Sequence, residues 1–387
     1  MRQIARLGTS IVLITTITVA VGDFVMAWAQ TPATKPAGAI DFNRARVLLR
    51  KSEQGEKLTP EEQAYLDRAR EARRQSQQPA ARANVSPRES TGLVPLPELV
   101  GTQRYNGFEG GLYGHGMNEP PAAHAKLALA AAAQIRPLDV DGKPDAKVGR
   151  VVLMSIGMSN TTQEFSRFKE LADGDKDVSP SLTIVDAAQG GRAADDWTDA
   201  KMPTYDEAAR RLSAAKVSAN QVQAVWIKQA RKGPGTLGAF PQHAKVLQDD
   251  LENILRAARK RYPNLKLAFL SSRIYAGYAK SALNPEPFAY EGAFSVQWAI
   301  AKQAVGDPEL NCDPGKGEVI APVAVWGAYL WADGTKGRKA DGLIYQADDL
   351  GPDGTHPSNN GRQKVAETLL KFFKSDTYCK NWFLRNG

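Results

Sequence analysis

Asp353 stands three residues before His356 in the run Asp353-Gly354-Thr355-His356-Pro357-Ser358. That spacing lets one short turn present a carboxylate to one ring nitrogen of the imidazole and leave the other free as a general base. The chain contains only four histidines, and this is the one with an acid so placed. A base needs a nucleophile. Ser159, in Gly157-Met158-Ser159-Asn160, follows an apolar run and precedes a helical one. A serine at such a turn sits near unpaired helix N–H groups and the positive end of the helix dipole, which favour an attacking alkoxide and a developing oxyanion. Gly190-Gly191 follows the next apolar run, where a glycine can turn its N–H toward a substrate. Trp226-Ile227-Lys228-Gln229 follows the third. An amide or ammonium donor there, Gln229 or Lys228, could reach the same oxyanion. Ser159 as nucleophile, His356 as base and Asp353 as orienting acid would support acyl transfer.

Five apolar runs, near residues 150–156, 182–186, 222–227, 265–270 and 322–326, read as buried strands. Amphipathic stretches near 162–171, 205–215, 241–262, 290–304 and 360–374 separate and follow them as helices, the first expected to start on a capping box of Thr161 and Glu164. Strands alternating with helices predict an α/β fold, a three-layer α/β/α sandwich on a five-stranded parallel sheet. Ligands in such sheets bind beyond the carboxyl ends of the strands. Each fragment above falls there, as do Arg273 and Tyr275 after the fourth run, the segment 281–290, and Trp326, Tyr329 and Trp331 after the fifth. Arg273 would suit a carboxylate and the aromatics a sugar ring.

The 387 residues are 42% hydrophobic and carry a formal charge of +8 spread along the chain, a general surface charge that gives no support for a nucleic-acid partner. His115, His124 and His243 lie apart, no H-E-x-x-H or paired Cys/His spacing occurs, and Gly315-Lys316-Gly317-Glu318 is not a phosphate-binding loop, so neither a metal nor an organic cofactor is expected. Residues 1–29 read as a signal peptide, with Arg2 and Arg6 before an apolar stretch at 7–21 and Ala27-Trp28-Ala29 at the cleavage site. The stretch is short for a span and Asp23 interrupts it, so a secreted or periplasmic protein without a stable membrane anchor is expected. Residues 30–92 read as a linker and a helical pair, whose second helix starts on a Thr59-Pro60-x-Glu62 cap, and 93–387 as the main domain. Cys312 and Cys379 would form one disulfide in an oxidising compartment, the alternative being two free buried thiols.

Together these fragments resemble the SGNH/GDSL hydrolase superfamily. D-x-x-H-P-S-x-x-G is met by Asp353 through Gly361, while Gly157-Met158-Ser159-Asn160, and Gly190-Gly191 with Asp195 and Trp197, are similar to blocks of its acetyl-xylan esterase and sialate O-acetylesterase branch. The resemblance covers residues 148–375. It implies a flavodoxin-like fold, a Ser159–His356–Asp353 triad, an oxyanion hole of the Ser159 and Gly191 N–H groups with Gln229, and substrate contacts from Asn160, Gly190, Lys228, Arg273 and Tyr275. The implied activity is a serine esterase acting on short acyl, chiefly acetyl, esters of a small molecule or polysaccharide. An O-acetyltransferase and a non-catalytic carbohydrate-binding surface protein are the alternatives. Trp226-Ile227-Lys228-Gln229-Ala230 matches neither of the superfamily's usual third-donor blocks, which leaves that donor open.

Overall fold

Each of the five apolar runs forms a strand. In the computed structural model, which describes residues 48, 51, 58–77 and 87–385, the main sheet consists of β3 (Val151–Gly157), β4 (Leu182–Val185), β5 (Val222–Lys228), β6 (Leu267–Ser271) and β7 (Val323–Trp326). All four pairings are parallel, in the order β4-β3-β5-β6-β7. β3, β5, β6 and β7 are buried along their whole length. That is why the sequence reads as continuous apolar runs and not as alternation.

The helices between and after the strands are α3 (Ser159–Asp173), α4 (Pro203–Ala214), α5 (Gln242–Arg261), α6 (Phe288–Ala304) and α7 (Asn359–Ser375). α3 packs against α7, and α5 against α6. With right-handed crossovers, that strand order puts the two pairs on opposite faces of the sheet. On the α3/α7 face Phe165 stacks on Trp226 at 5.4 Å, and Phe269 meets Phe373 edge-on at 5.5 Å. Each such ring, fully buried, contributes about 1.5–3 kcal/mol.

Several short elements have no counterpart in the sequence reading. A hairpin of β1 (Arg104–Tyr105) and β2 (Phe108–Glu109) precedes α2 (Ala122–Ala132), and α8 (Lys380–Phe383) ends the domain. Arg88 to Gly92, counted above with the linker, are bound into the domain. The Arg88 N–H donates to Gly277, and Asp333 accepts from Ser90 Oγ, from the N–H and Oγ1 of Thr91, and from the Gly92 N–H.

The described residues up to Ser76 fall in a separate unit. Its described helix, α1 (Pro60–Gln77), starts on the expected reciprocal cap. Thr59 Oγ1 accepts from the Glu62 N–H at 3.2 Å and Glu62 Oε2 accepts from the Thr59 N–H at 3.0 Å. The signal-peptide reading of 1–29 falls outside the described residues, as does most of the first helix of the pair. No helix among the described residues is long and apolar enough to cross a membrane.

The expected disulfide is corrected: Cys312 and Cys379 are free, and both are buried. Cys312 borders a pocket with α2 and the C-terminal end of α6. Cys379 opens α8, where its N–H donates to the Asp376 carbonyl at 3.1 Å. Each sulfur is thus packed in its own surroundings, and burial pushes both thiols up.

Candidate active site

Ser159 is the first residue of α3, directly past β3. The helix begins earlier than its expected capping box. Met158 is the N-cap, and Thr161 Oγ1 accepts from the Met158 N–H at 3.2 Å while donating to the Lys228 carbonyl at 2.7 Å. The second bond ties the start of α3 to the end of β5 and so fixes where Ser159 stands. As the first helical residue Ser159 keeps an N–H that no helix carbonyl accepts.

The loop after β4 comes to the same edge. Asp186 accepts from Ser155 of β3 at 2.6 Å and from Thr162 and Ser166 of α3 at 2.5 and 2.7 Å. The Gln189 N–H donates to the Gly157 carbonyl at 3.0 Å, and the Ala194 N–H to the Ala230 carbonyl at 3.1 Å. Between these anchors Gly191 has φ of +75°, with open space where a Cβ would stand. The backbone conformation, not crowding, is what asks for glycine.

Asp353 and His356 lie in the turn before α7. Gly354, at φ +65°, brings its Cα against the Tyr278 carbonyl, where a Cβ would clash. Ser159 Oγ is 2.7 Å from His356 Nε2, and His356 Nδ1 is 2.5 Å from Asp353 Oδ2. A carboxylate only accepts, so Nδ1 carries the proton and Nε2 accepts from the serine hydroxyl. Asp353 Oδ1 also accepts from the N–H groups of Thr355 and His356, each at 3.0 Å. Burial pushes the Asp353 carboxyl up, but the hydrogen bonds from the His356 ring and from these two N–H groups outweigh it and hold the group well below its ordinary value. The other three histidines are elsewhere: His115 pairs with Glu109, His124 meets the Ala324 carbonyl and His243 meets Glu291.

A cleft of about 460 Å³ opens over Ser159 and His356. Met158, Asn160, Gly191 and Arg273 line it. It lies where the strand order switches direction from β3, beside β4 and β5, the place ligands take in open α/β sheets. Asn160 faces it while donating its Nδ2 to the Thr355 carbonyl at 2.9 Å. Gly190 stands next to Ser159 without lining the cleft.

Other expected contacts are corrected. Lys228 is wholly buried and ion-paired to Glu164 of α3, so it cannot reach a substrate. Burial pushes the Lys228 ammonium down to about 8 and the Glu164 carboxyl up, each opposed by the other's charge. Tyr275 is also buried, donating its hydroxyl to the Arg88 carbonyl at 2.6 Å. Trp326, Tyr329 and Trp331 lie in the core and do not line the cleft. Trp326 Nε1 donates to Leu112, Tyr329 accepts from the Leu96 N–H and Trp331 Nε1 donates to Glu286. Gln229 is 3% exposed, does not line the cleft, and has no hydrogen-bond partner on either amide atom.

The sequence reading missed Arg192, Arg231, Lys232 and Asn284, all of which line the cleft. Arg231 and Lys232 follow the third fragment by two and three residues, and Asn284 lies in the segment singled out after β6. The Glu164–Lys228 pair was also missed. Its signal is the helix face Thr161, Glu164, Phe165 and Phe168, which puts Glu164 among inward residues.

No protein-family profile matches the chain, and no curated protein matches it. Solved structures with a similar chain trace include carbohydrate esterases of family 3 from two organisms. The Talaromyces cellulolyticus enzyme has 14% identity and a TM-score of 0.33 over 57% of this chain and 95% of that one. The Clostridium thermocellum enzyme has 13% identity and a TM-score of 0.34 over 59% of this chain and 97% of that one. A carbohydrate acetylesterase from Xanthomonas citri has 14% identity and a TM-score of 0.31 over 59% of this chain and 56% of that one.

Proposed function

We propose that the protein is an exported serine esterase that hydrolyses short-chain, chiefly acetyl, esters of carbohydrates. The observation that carries this reading is the continuous relay from Ser159 Oγ through both His356 nitrogens to Asp353, at 2.7 and 2.5 Å, on the wall of the cleft. Ser159 attacks the ester carbonyl while His356 Nε2 takes its proton, and Asp353 stabilises the imidazolium. The N–H groups of Ser159 and Gly191 receive the oxyanion. Collapse of the tetrahedral intermediate expels the alcohol, which takes the proton back from His356. Water then attacks the acyl-Ser159 ester, its proton passing to His356, and collapse of this second intermediate releases the acid while His356 returns the proton to the Ser159 oxygen.

The acetyl and carbohydrate assignments rest on the resemblance of Gly157-Met158-Ser159-Asn160, and of Gly190-Gly191 with Asp195 and Trp197, to blocks of the acetyl-xylan esterase and sialate O-acetylesterase branch. Export, leaving Gln30 as the first residue, rests on the residue pattern of 1–29. The test is hydrolysis of p-nitrophenyl acetate and p-nitrophenyl octanoate by the protein beside Ser159→Ala. Cleavage of the acetate with an inactive variant is expected. Octanoate as the better substrate would count against a short acyl group, and a fully active Ser159→Ala would remove Ser159 as nucleophile.

A further inference from the structure

Four cations line the cleft, Arg192, Arg231, Lys232 and Arg273, and no carboxylate does. Three of them are neutralised by aspartates outside the lining. Arg192 pairs with Asp196 at 3.1 Å, Arg231 with Asp250 and with Asp195, and Lys232 lies 3.6 Å from Asp196. Arg273 differs. It is 3% exposed, and no carboxylate among the described residues lies within ion-pair distance of it. Its one hydrogen bond runs from Nη2 to the Thr355 carbonyl at 3.2 Å, and its Nε–H is buried with no acceptor.

The carboxylates in its neighbourhood have other partners. Glu164 is paired with Lys228 and Asp353 with His356, while Glu286 accepts from the Ala276 and Tyr290 N–H groups and from Trp331 Nε1. Asn284 lines the same cleft at 4% exposure. Its Nδ2 donates to the Arg231 carbonyl at 3.3 Å, and its Oδ1 is buried with no donor.

A desolvated guanidinium and a desolvated amide oxygen are costly to leave unpaired, and native structures rarely do so. Both side chains line the cleft beside Ser159, so a ligand seated there that draws either one toward it supplies the missing partner. A guanidinium offers only donors, in a planar fork that matches a carboxylate, and an amide oxygen accepts from a hydroxyl. The two orphans therefore fit one ligand that carries both a carboxylate and hydroxyl groups. We propose that Arg273 and Asn284 form an anion-recognition subsite and that the ester cleaved at Ser159 bears a carboxylate, as an acetylated uronic acid does. The proposal rests on the esterase reading and narrows it to acidic esters.

The test measures kcat/KM for two matched pairs. One puts the charge on the alcohol side (an acetylated methyl glucuronoside against the acetylated methyl glucoside). The other puts it on the acyl side (p-nitrophenyl hemisuccinate against p-nitrophenyl butyrate). The anionic member of at least one pair should be preferred by about tenfold or more, as a charge-assisted hydrogen bond supplies. That ratio should collapse toward unity in Arg273→Gln and be partly kept in Arg273→Lys. Equal or better turnover of both neutral members overturns the subsite and leaves the esterase standing. No turnover of any of the four by folded protein overturns the esterase reading and the subsite with it. Should Arg273→Gln not fold, calorimetric titration of Ser159→Ala with methyl glucuronoside and methyl glucoside decides the same question for the alcohol side. Tighter binding of the glucuronoside supports the subsite, and equal binding of the two removes it there.

Discussion

Asn160, the residue after Ser159, donates its side-chain amide to the carbonyl of Thr355, the residue before His356, at 2.9 Å. The two fragments that carry the proposed nucleophile and base are thus joined by their neighbours as well as by the Ser159–His356 hydrogen bond. Arg273 donates to the same carbonyl from the end of β6, so three segments meet at one oxygen.

On the proposed mechanism, this junction makes Asn160 a positioning residue for His356. In Asn160→Ala the Thr355 carbonyl keeps only Arg273, and the His356 turn is free to drift from Ser159. The expected outcome is a fall in kcat of about 10- to 100-fold, the equivalent of losing one buried hydrogen bond at ~1–3 kcal/mol, with KM for p-nitrophenyl acetate changed little. Circular dichroism should remain that of the parent. A loss confined to KM would place Asn160 in substrate binding alone.

Asp353→Asn tests the tautomer. An asparagine can still accept from the Thr355 and His356 N–H groups, so the turn is held. If its amide nitrogen faces Nδ1, the ring proton shifts to Nε2, and the base can no longer take the Ser159 proton. The expected loss is roughly 10³–10⁴ in kcat, with a melting temperature close to the parent's. Turnover near the parent's would take Asp353 out of the relay.

The sheet was legible because a parallel strand buried on both faces writes itself as an apolar run, and β3 to β7 fall within a few residues of those runs. The site fragments were legible because Asp353 and His356 are joined by local spacing, and Ser159 by its place at a strand end. What was not legible depends on which distant residues meet. Nothing near Lys228 in sequence says that Glu164 lies across from it. Nothing near Trp326 and Tyr329 says that Leu112 and Leu96 cover them. The two cysteines invited pairing by number alone, while the fold gave each its own packing. The α2 helix was missed for another reason. Ala122–Ala132 is too uniformly apolar to show a polar face, though its alanines favour helix strongly.

The Lys228–Glu164 pair is buried beneath the start of α3, and its two halves should be very unequal to remove singly and jointly. Lys228→Met leaves a buried carboxyl without its cation, at a cost on the order of 3–5 kcal/mol. Adding Glu164→Gln removes the stranded charge and should recover much of that loss. Urea unfolding midpoints of the two single variants and the double variant measure the coupling. Strictly additive losses would show that the pair does not act as a unit.

Glu286 gives the fold a pH dependence of definite sign. Burial pushes its carboxyl up to about 6 from an ordinary 4.5, against hydrogen bonds from Ala276, Trp331 and Tyr290 and the nearby charge of Arg273. Over that interval the folded protein holds a proton that the unfolded chain has released. This contribution to stability is therefore complete below about 4.5 and is lost as pH rises through about 6. Glu286→Gln keeps an oxygen for the Ala276 N–H and for Trp331 Nε1 and cannot ionise. Melting temperatures taken from pH 4.5 to 7.5 should therefore decline less in the variant than in the parent, and the difference between the two curves isolates this one group from the other carboxylates. Parallel curves would mean that Glu286 titrates at the same pH in the folded and unfolded chain.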